Sequence, residues 1–402
     1  MRVLVTGARM WYAINTIRLL AQGGYEVFAA DSKKLSGGLY SRYLKGKFIY
    51  PSVSENGRAF VRCLMEKIEE LEIGVLFPTF EEGFVLSKHS DLLEGRVKII
   101  VPSYEHIRLL HDKFLMTNYA RSLGISVPGT MLLKNFEPTD SSFPIVIKPR
   151  NLRSAEGISK VNSKDEFTKY SKDLDGDKHL VQEWKHPYQI CTTGLAYNGQ
   201  VIANVIYHNL REYPESGGIG TCRISIECEE VLGNVKKIVS DLNYSGFISM
   251  DFLHERDSNG YYLVDVNPRM SPGLLVAYTS GLDMVSAYID LVIKNEAPQL
   301  SPLETGNGTY TTAMEIGWFF STLFKGKFGN LKGFFKSRKK LKDDSWDARD
   351  PAPFFVMLWS MLYTAIFGPL KGGQTKSFSL GATCDIESLD EEEIVDEKRQ
   401  VV

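Results

Sequence analysis

Asp251, Asp265 and Asn267 are the residues whose types and spacing best suit chemistry, and all fall within GFISMDFLHERDSNGYYLVDVNPR, Gly246 to Arg269. Phe247, Ser249 and Asp251 alternate with Ile248, Met250 and Phe252, and the pattern repeats in Tyr262-Val264-Val266. This period of two predicts a pair of strands, joined by the polar turn Asp257-Ser258-Asn259-Gly260. Residues i and i+2 share a strand face, so Asp265 and Asn267 point the same way, and hairpin pairing brings Asp251 beside them. Strands disfavour Asp and Asn unless something holds them. Convergent oxygen ligands followed by Arg269 suit a hard cation, Mg²⁺, together with a phosphate.

Several cationic and polar groups upstream fit the same ligand. Lys148 closes the apolar run Ile145-Val146-Ile147, where a charge needs a partner and a phosphate supplies one. Lys113 stands in an Asp-Lys pair on an expected helix from His106 to Leu123. The loop RNLRSAEG, Arg150 to Gly157, offers backbone N–H groups, the Ser154 hydroxyl and two arginines to a polyphosphate. Gln182-Glu183-Trp184 end another expected strand.

The elements that must position these groups begin with a strand–turn–helix–strand unit. Val3 to Val5 is a short apolar strand, and Ile14, Ile17 and Leu20 have helical spacing. Gly23-Gly24 stop that helix, and Val27 to Ala30 lead to Asp31. A helix over Arg58 to Leu71 and strands over Gly74 to Phe77 and Val97 to Val101 extend the alternation. It predicts a doubly wound parallel sheet over residues 1–105. A nicotinamide reading with Asp31 on a ribose is disfavoured, because the turn after Gly7 lacks the further glycines that admit a pyrophosphate. Glu81 and Glu82 follow a strand end, either as first-turn acids of a helix or as anchors facing the crevice.

The order Lys113, Lys148, Glu183, Asp251, Asp265, Asn267, Arg269 resembles the ATP-grasp superfamily over roughly residues 1–300. The resemblance implies an α/β pre-ATP-grasp domain (1–105), an ATP-grasp domain of two α+β subdomains (106–304) and a mostly helical C-terminal region (305–402). It implies ATP and Mg²⁺ (or Mn²⁺) as cofactors. Lys113 and Lys148 match the phosphate-holding lysines, and Arg150 to Gly157, with Ser154, the lid. Gln182, Glu183, Trp184 and Lys185 match the adenine-reading segment, and Gln189 stands where relatives place a ribose-binding acid. Asp251, Asp265 and Asn267 match the metal ligands, two of them Asp where the family has Glu. Arg269 matches the arginine of the Asn-Pro-Arg turn. His208 to Gly218 resembles the loop bordering an acceptor site, with Arg211 or Arg223 as holder of a carboxylate or acyl phosphate. The activity implied is that of a carboxylate–amine ligase acting on small molecules, possible also as a homodimer. Carboxylation, carbamoyl phosphate formation and a non-catalytic nucleotide-binding module are the alternatives.

The chain of 402 residues has a formal net charge of -2, which gives no global attraction to nucleic acid. Five cysteines without a CxxC pair favour reduced thiols in a cytoplasmic protein, and the opening strand leaves no place for a signal peptide. Gly317 to Lys342 carries eight Lys or Arg, no acid and many aromatics, and Ala352 to Leu370 carries no charge. Basic-aromatic composition suits an anionic membrane surface or a lipid-like substrate; a helix packed on the enzyme or on a second subunit, or a membrane span, are the other readings. The acidic tail Ser388 to Arg399 reads as a solvated helix face.

Overall fold

The computed structural model describes residues 1–151, 157–185, 188–213, 218–255 and 260–367, and residues 383, 384, 386 and 389 of the tail. Three sheets organise the described residues. The first is parallel, in the order β3 (Leu44–Ile49), β2 (Glu26–Asp31), β1 (Arg2–Val5), β4 (Val75–Phe77). Val3, Leu4 and Val5 are fully buried, as a continuous apolar run requires when helices cover both faces of a parallel sheet. Helix Trp11–Gln22 packs Ile14, Ile17 and Leu20 into this unit.

At the carboxyl edge, Gly7 has φ +68°, and a Cβ there would lie 2.7 Å from Thr79 Oγ1. The turn therefore needs glycine for its shape, not for a pyrophosphate. Asp31 is buried and accepts from the Arg9 backbone N–H (2.7 Å) and Nε (2.9 Å), so it faces no ribose. Glu82 is a buried anchor, accepting from Thr6 Oγ1 (2.8 Å), Thr79 N (2.9 Å) and Phe80 N (3.0 Å).

Two sequence expectations change here. Residues 97–101 form only a single bridge, Lys98 to Val75. The Tyr288 hydroxyl donates to Leu76 O (2.9 Å) and accepts from Ile100 N (3.0 Å), replacing the ladder beyond that point. The expected helix from His106 to Leu123 is two helices, Tyr104–His111 and Lys113–Ser122. Asp112 between them is extended and caps Phe114 N (2.8 Å) and Leu115 N (3.2 Å), which starts the second helix at Lys113.

The second sheet is antiparallel, in the order β5 (Thr130–Leu132), β8 (His179–Glu183), β6 (Ile145–Pro149), β7 (Ser159–Val161). The third has seven strands, whose order is β13 (Gly260–Asn267), β12 (Gly246–Glu255), β9 (Gln189–Tyr197), β10 (Gln200–Tyr213), β11 (Ile219–Ile226), β14 (Gly308–Tyr310), β15 (Lys342–Asp343). Helix Glu229–Asp241 covers one face with Val231, Val235 and Ile238. The other face meets the first domain in a core that joins Trp11, Tyr12 and Phe80 to Cys191, Tyr207 and Met270. Strands β14 and β15 tie the chain after residue 304 to this sheet by main-chain hydrogen bonds.

Candidate active site

Strands β12 and β13 pair antiparallel with Asp251 opposite Asp265 and Ser249 opposite Asn267. The turn residues 256–259 lie outside the described residues. Asn267 Nδ2 donates to Asp265 Oδ2 (3.1 Å), and Arg269 Nη2 donates to Asn267 Oδ1 (3.1 Å). Arg269 lies 4.4 Å from the centre of the Phe80 ring, with Nε 3.5 Å from Glu81 Oε1. A single polar chain thus runs from the hairpin to Glu81, just beyond the carboxyl end of β4.

Burial, then the charge of Asp265, pushes the Asp251 carboxyl up to about 7. Burial alone would raise Asp265 as well, but Lys113 and Lys148 pull it below the ordinary carboxylate value. Two carboxylates on adjacent strands, with the Asn267 side chain beside them, fit a divalent cation that removes their mutual repulsion. Cys191 lies beside Asp251 in the β9 register, and burial drives its thiol well above the usual range. No sequence signal marks Cys191, because its position depends on strand register.

Lys113 Nζ stands 3.2 Å from Asp265 Oδ1. Lys148, on β6, is buried and donates to Val264 O at 3.3 Å. Burial, with the Lys113 charge added, lowers its ammonium to about 7, against an opposing pull from Asp265. A buried ammonium lowered in this way gains from a nearby anion, which phosphate oxygens would supply. Both predicted lysines therefore meet the acidic hairpin.

Other predicted residues are spread around this centre. Arg150 is engaged by Asp112, with Nε 3.3 Å from Oδ1, and by the Asp177 carbonyl (3.0 Å). Gly157 has φ +71°, while Ser154 lies outside the described residues. Gln182 is buried and donates to Thr130 Oγ1 (2.8 Å). Glu183 pairs with Lys185 (2.8 Å), Lys185 also faces the Tyr262 ring (4.5 Å), and the Trp184 ring carries Lys160 at 4.1 Å. Gln189 accepts from Asn209 at 3.4 Å.

The two candidate substrate arginines are each engaged by a buried carboxylate. Arg211 binds Glu315 through Nε (3.0 Å) and Nη2 (2.7 Å), donates to Ser337 Oγ (2.7 Å) and covers Trp318. Arg223 is 1% exposed, with Nη1 2.9 Å from Asp344 Oδ2 and further bonds to Thr311 Oγ1 and Gly220 O. Both guanidinium groups are held by carboxylates from the C-terminal region. Of the expected acceptor loop, residues 214–217 lie outside the described residues.

Residues 110–273 match the family model of the ATP-grasp domain. The D-alanine–D-alanine ligase of Campylobacter lari is 28% identical over 280 residues, which cover 63% of this chain and 77% of that ligase. The carbamoyl-phosphate synthase of Methanobrevibacter smithii is 24% identical over 209 residues, covering 49% of this chain and 55% of that protein, so the chain spans about half of its length. Among solved structures, a biotin carboxylase–ATP-analogue complex from Campylobacter jejuni shares the fold, with TM-score 0.61 at 15% identity over 76% of this chain and 74% of that one. The family match runs across both lysines, both strands of the acidic hairpin and the Asn-Pro-Arg turn, so residues 110–273 carry an ATP-grasp domain.

Proposed function

We propose that the chain is an ATP-dependent carboxylate–amine ligase whose site is the Lys113–Lys148–Asp251–Asp265–Asn267–Arg269 cluster. The observation that carries this reading is the meeting of two buried lysines with the acidic hairpin, Lys113 lying 3.2 Å from Asp265. A substrate carboxylate oxygen attacks the γ-phosphorus of ATP as the bond to ADP breaks. An amine nitrogen then attacks the acyl carbon, the carbon–oxygen bond to phosphate breaks, the nitrogen loses a proton, and an amide forms. Phosphoryl transfer of this kind needs positioning and charge neutralisation rather than a side-chain nucleophile.

Asp251, Asp265 and Asn267 would hold Mg²⁺, which supplies charge neutralisation at the phosphate oxygens. Lys113 and Lys148 hold the phosphates, and Arg269, steadied by Glu81, faces the transferring group. Gln182 to Lys185 line the nucleotide's base; of the expected lid over its phosphates, residues 152–156 lie outside the described residues. The working division is 1–105, 106–304 and 305–402. ATP with a panel of amino acids and other small carboxylates tests the reading: ADP release should depend on both a carboxylate and Mg²⁺. ATP binding without carboxylate-dependent ADP release across the panel would favour a non-catalytic nucleotide-binding module.

A further inference from the structure

The C-terminal region presents a face that the ligase reading leaves unused. Helices Thr312–Phe324 and Phe328–Arg338 form a hairpin whose tip carries Phe324, 85% exposed, and Phe328, 62% exposed, with Lys325 and Lys327 between them in sequence. Phe320 stacks on Phe324 at 6.4 Å and is itself half exposed. Helix Ala352–Phe367 is uncharged and two-sided. Phe354 and Met357 are buried against the first domain near Gly37, whereas Phe355, Trp359 and Leu362 recur at helical spacing and stand exposed.

Apolar surface of this kind on a soluble fold marks an interaction site. Its charge selects the partner. From Ile316 to Lys342 the sequence has eight Lys or Arg and no acid, and Lys336, Lys339 and Lys340 are exposed. Protein–protein interface cores are depleted in lysine, whereas aromatics flanked by lysines suit the boundary between acyl chains and anionic headgroups. The helix Ala352–Phe367, at about 1.5 Å per residue, is about 24 Å long and falls short of a hydrocarbon core of about 30 Å. No helix among the described residues is long and apolar enough to cross a membrane. The face is therefore suited to lying on a bilayer.

The platform is also firmly joined to the catalytic body. Arg211–Glu315 and Arg223–Asp344 fasten it to the seven-stranded sheet, and Asp350 Oδ2 lies 3.1 Å from Nε of Arg18 on the first domain. We propose that the hairpin tip and the outer face of helix Ala352–Phe367 dock the enzyme onto an anionic lipid surface, with Phe324 and Phe328 entering the interface and the lysines on its headgroups.

The test is co-sedimentation of the full chain with phosphatidylcholine vesicles, with and without phosphatidylserine. The parent protein should bind the phosphatidylserine vesicles at least about tenfold better, and lose that preference as salt rises. The double variant Phe324→Ser/Phe328→Ser and the triple variant Lys336→Gln/Lys339→Gln/Lys340→Gln should each lower binding at least about tenfold. Monodispersity and nucleotide binding of both variants should match the parent, which separates docking from folding and from the ligase reading. No binding, equal binding to both vesicles, or binding unchanged in the tip variant overturns the proposal. A concentration-dependent dimer that Phe324→Ser/Phe328→Ser dissociates, without vesicle binding, would assign the face to a second copy instead and also overturn it.

Discussion

Lys113 Nζ and Asp265 Oδ1 lie 3.2 Å apart, one at the start of a helix and the other near the end of β13. Through this contact the lysine end of the cluster and its carboxylate end become one electrostatic unit. The Asp112 cap fixes the helix start and the hairpin register fixes the carboxylate. Asp265→Asn removes one of the carboxylates proposed to hold Mg²⁺ and the 3.2 Å ion pair with Lys113. Carboxylate-dependent ADP release should fall by about a hundredfold or more, while the melting temperature changes little. Retained turnover would contradict the assigned site.

Lys148 gives the site a pH signature. Its ammonium titrates near 7 because burial, with Lys113 beside it, disfavours the charged form. An unfolded lysine titrates near 10.4, so between these values the unfolded chain binds more protons and stability rises with pH; below about 7 the full penalty of the buried charge applies. Phosphate oxygens arriving at Lys148 restore its proton. ATP binding at pH 8 to 9 should take up close to one proton, read by calorimetry in buffers of different ionisation enthalpy. Lys148→Met should abolish that uptake, and uptake unchanged in the variant would place the proton elsewhere.

The Arg211–Glu315 pair predicts a stability effect without a role in chemistry. Glu315 is fully buried and Arg211 nearly so. Glu315→Ala would strand the guanidinium, at a cost of about 3–5 kcal/mol, and denaturant unfolding should register it. Glu315→Gln, which keeps an acceptor, should lose less. An unchanged midpoint in Glu315→Ala would show that the pair contributes nothing net.

Glu81 extends the site to the first domain. Its Oε1 lies 3.5 Å from Arg269 Nε, and its Oε2 accepts from Cys384 N at 2.9 Å. Glu81→Gln should leave ATP affinity near that of the parent and lower the rate of ADP release about tenfold or more, since it frees Arg269 to rotate. A raised KM for ATP with an unchanged rate would instead place Glu81 at the nucleotide.

The parts legible in the sequence are those set by short-range pattern. Alternation gave the strands of the acidic hairpin, and a charge closing Ile145-Val146-Ile147 marked Lys148. Asp112 as a helix cap was readable from its type, but an unbroken helical pattern from His106 to Leu123 hid it. Partners distant in sequence left no such trace. Glu315 and Asp344 reach Arg211 and Arg223 from 104 and 121 residues away, so the carboxylate partners of these two arginines had no local signal. Likewise, Tyr288 ends the β4 ladder from 188 residues beyond Ile100, which no local propensity encodes.

Hydroxylamine trapping tests the central claim most directly. The protein is incubated with ATP, Mg²⁺, hydroxylamine and a panel of small carboxylates, and hydroxamate is measured alongside ADP. The account predicts hydroxamate equal to the carboxylate-dependent ADP, with both lost in Asp265→Asn. ATP binding without hydroxamate for any carboxylate, or hydroxamate formed undiminished by Asp265→Asn, would contradict it.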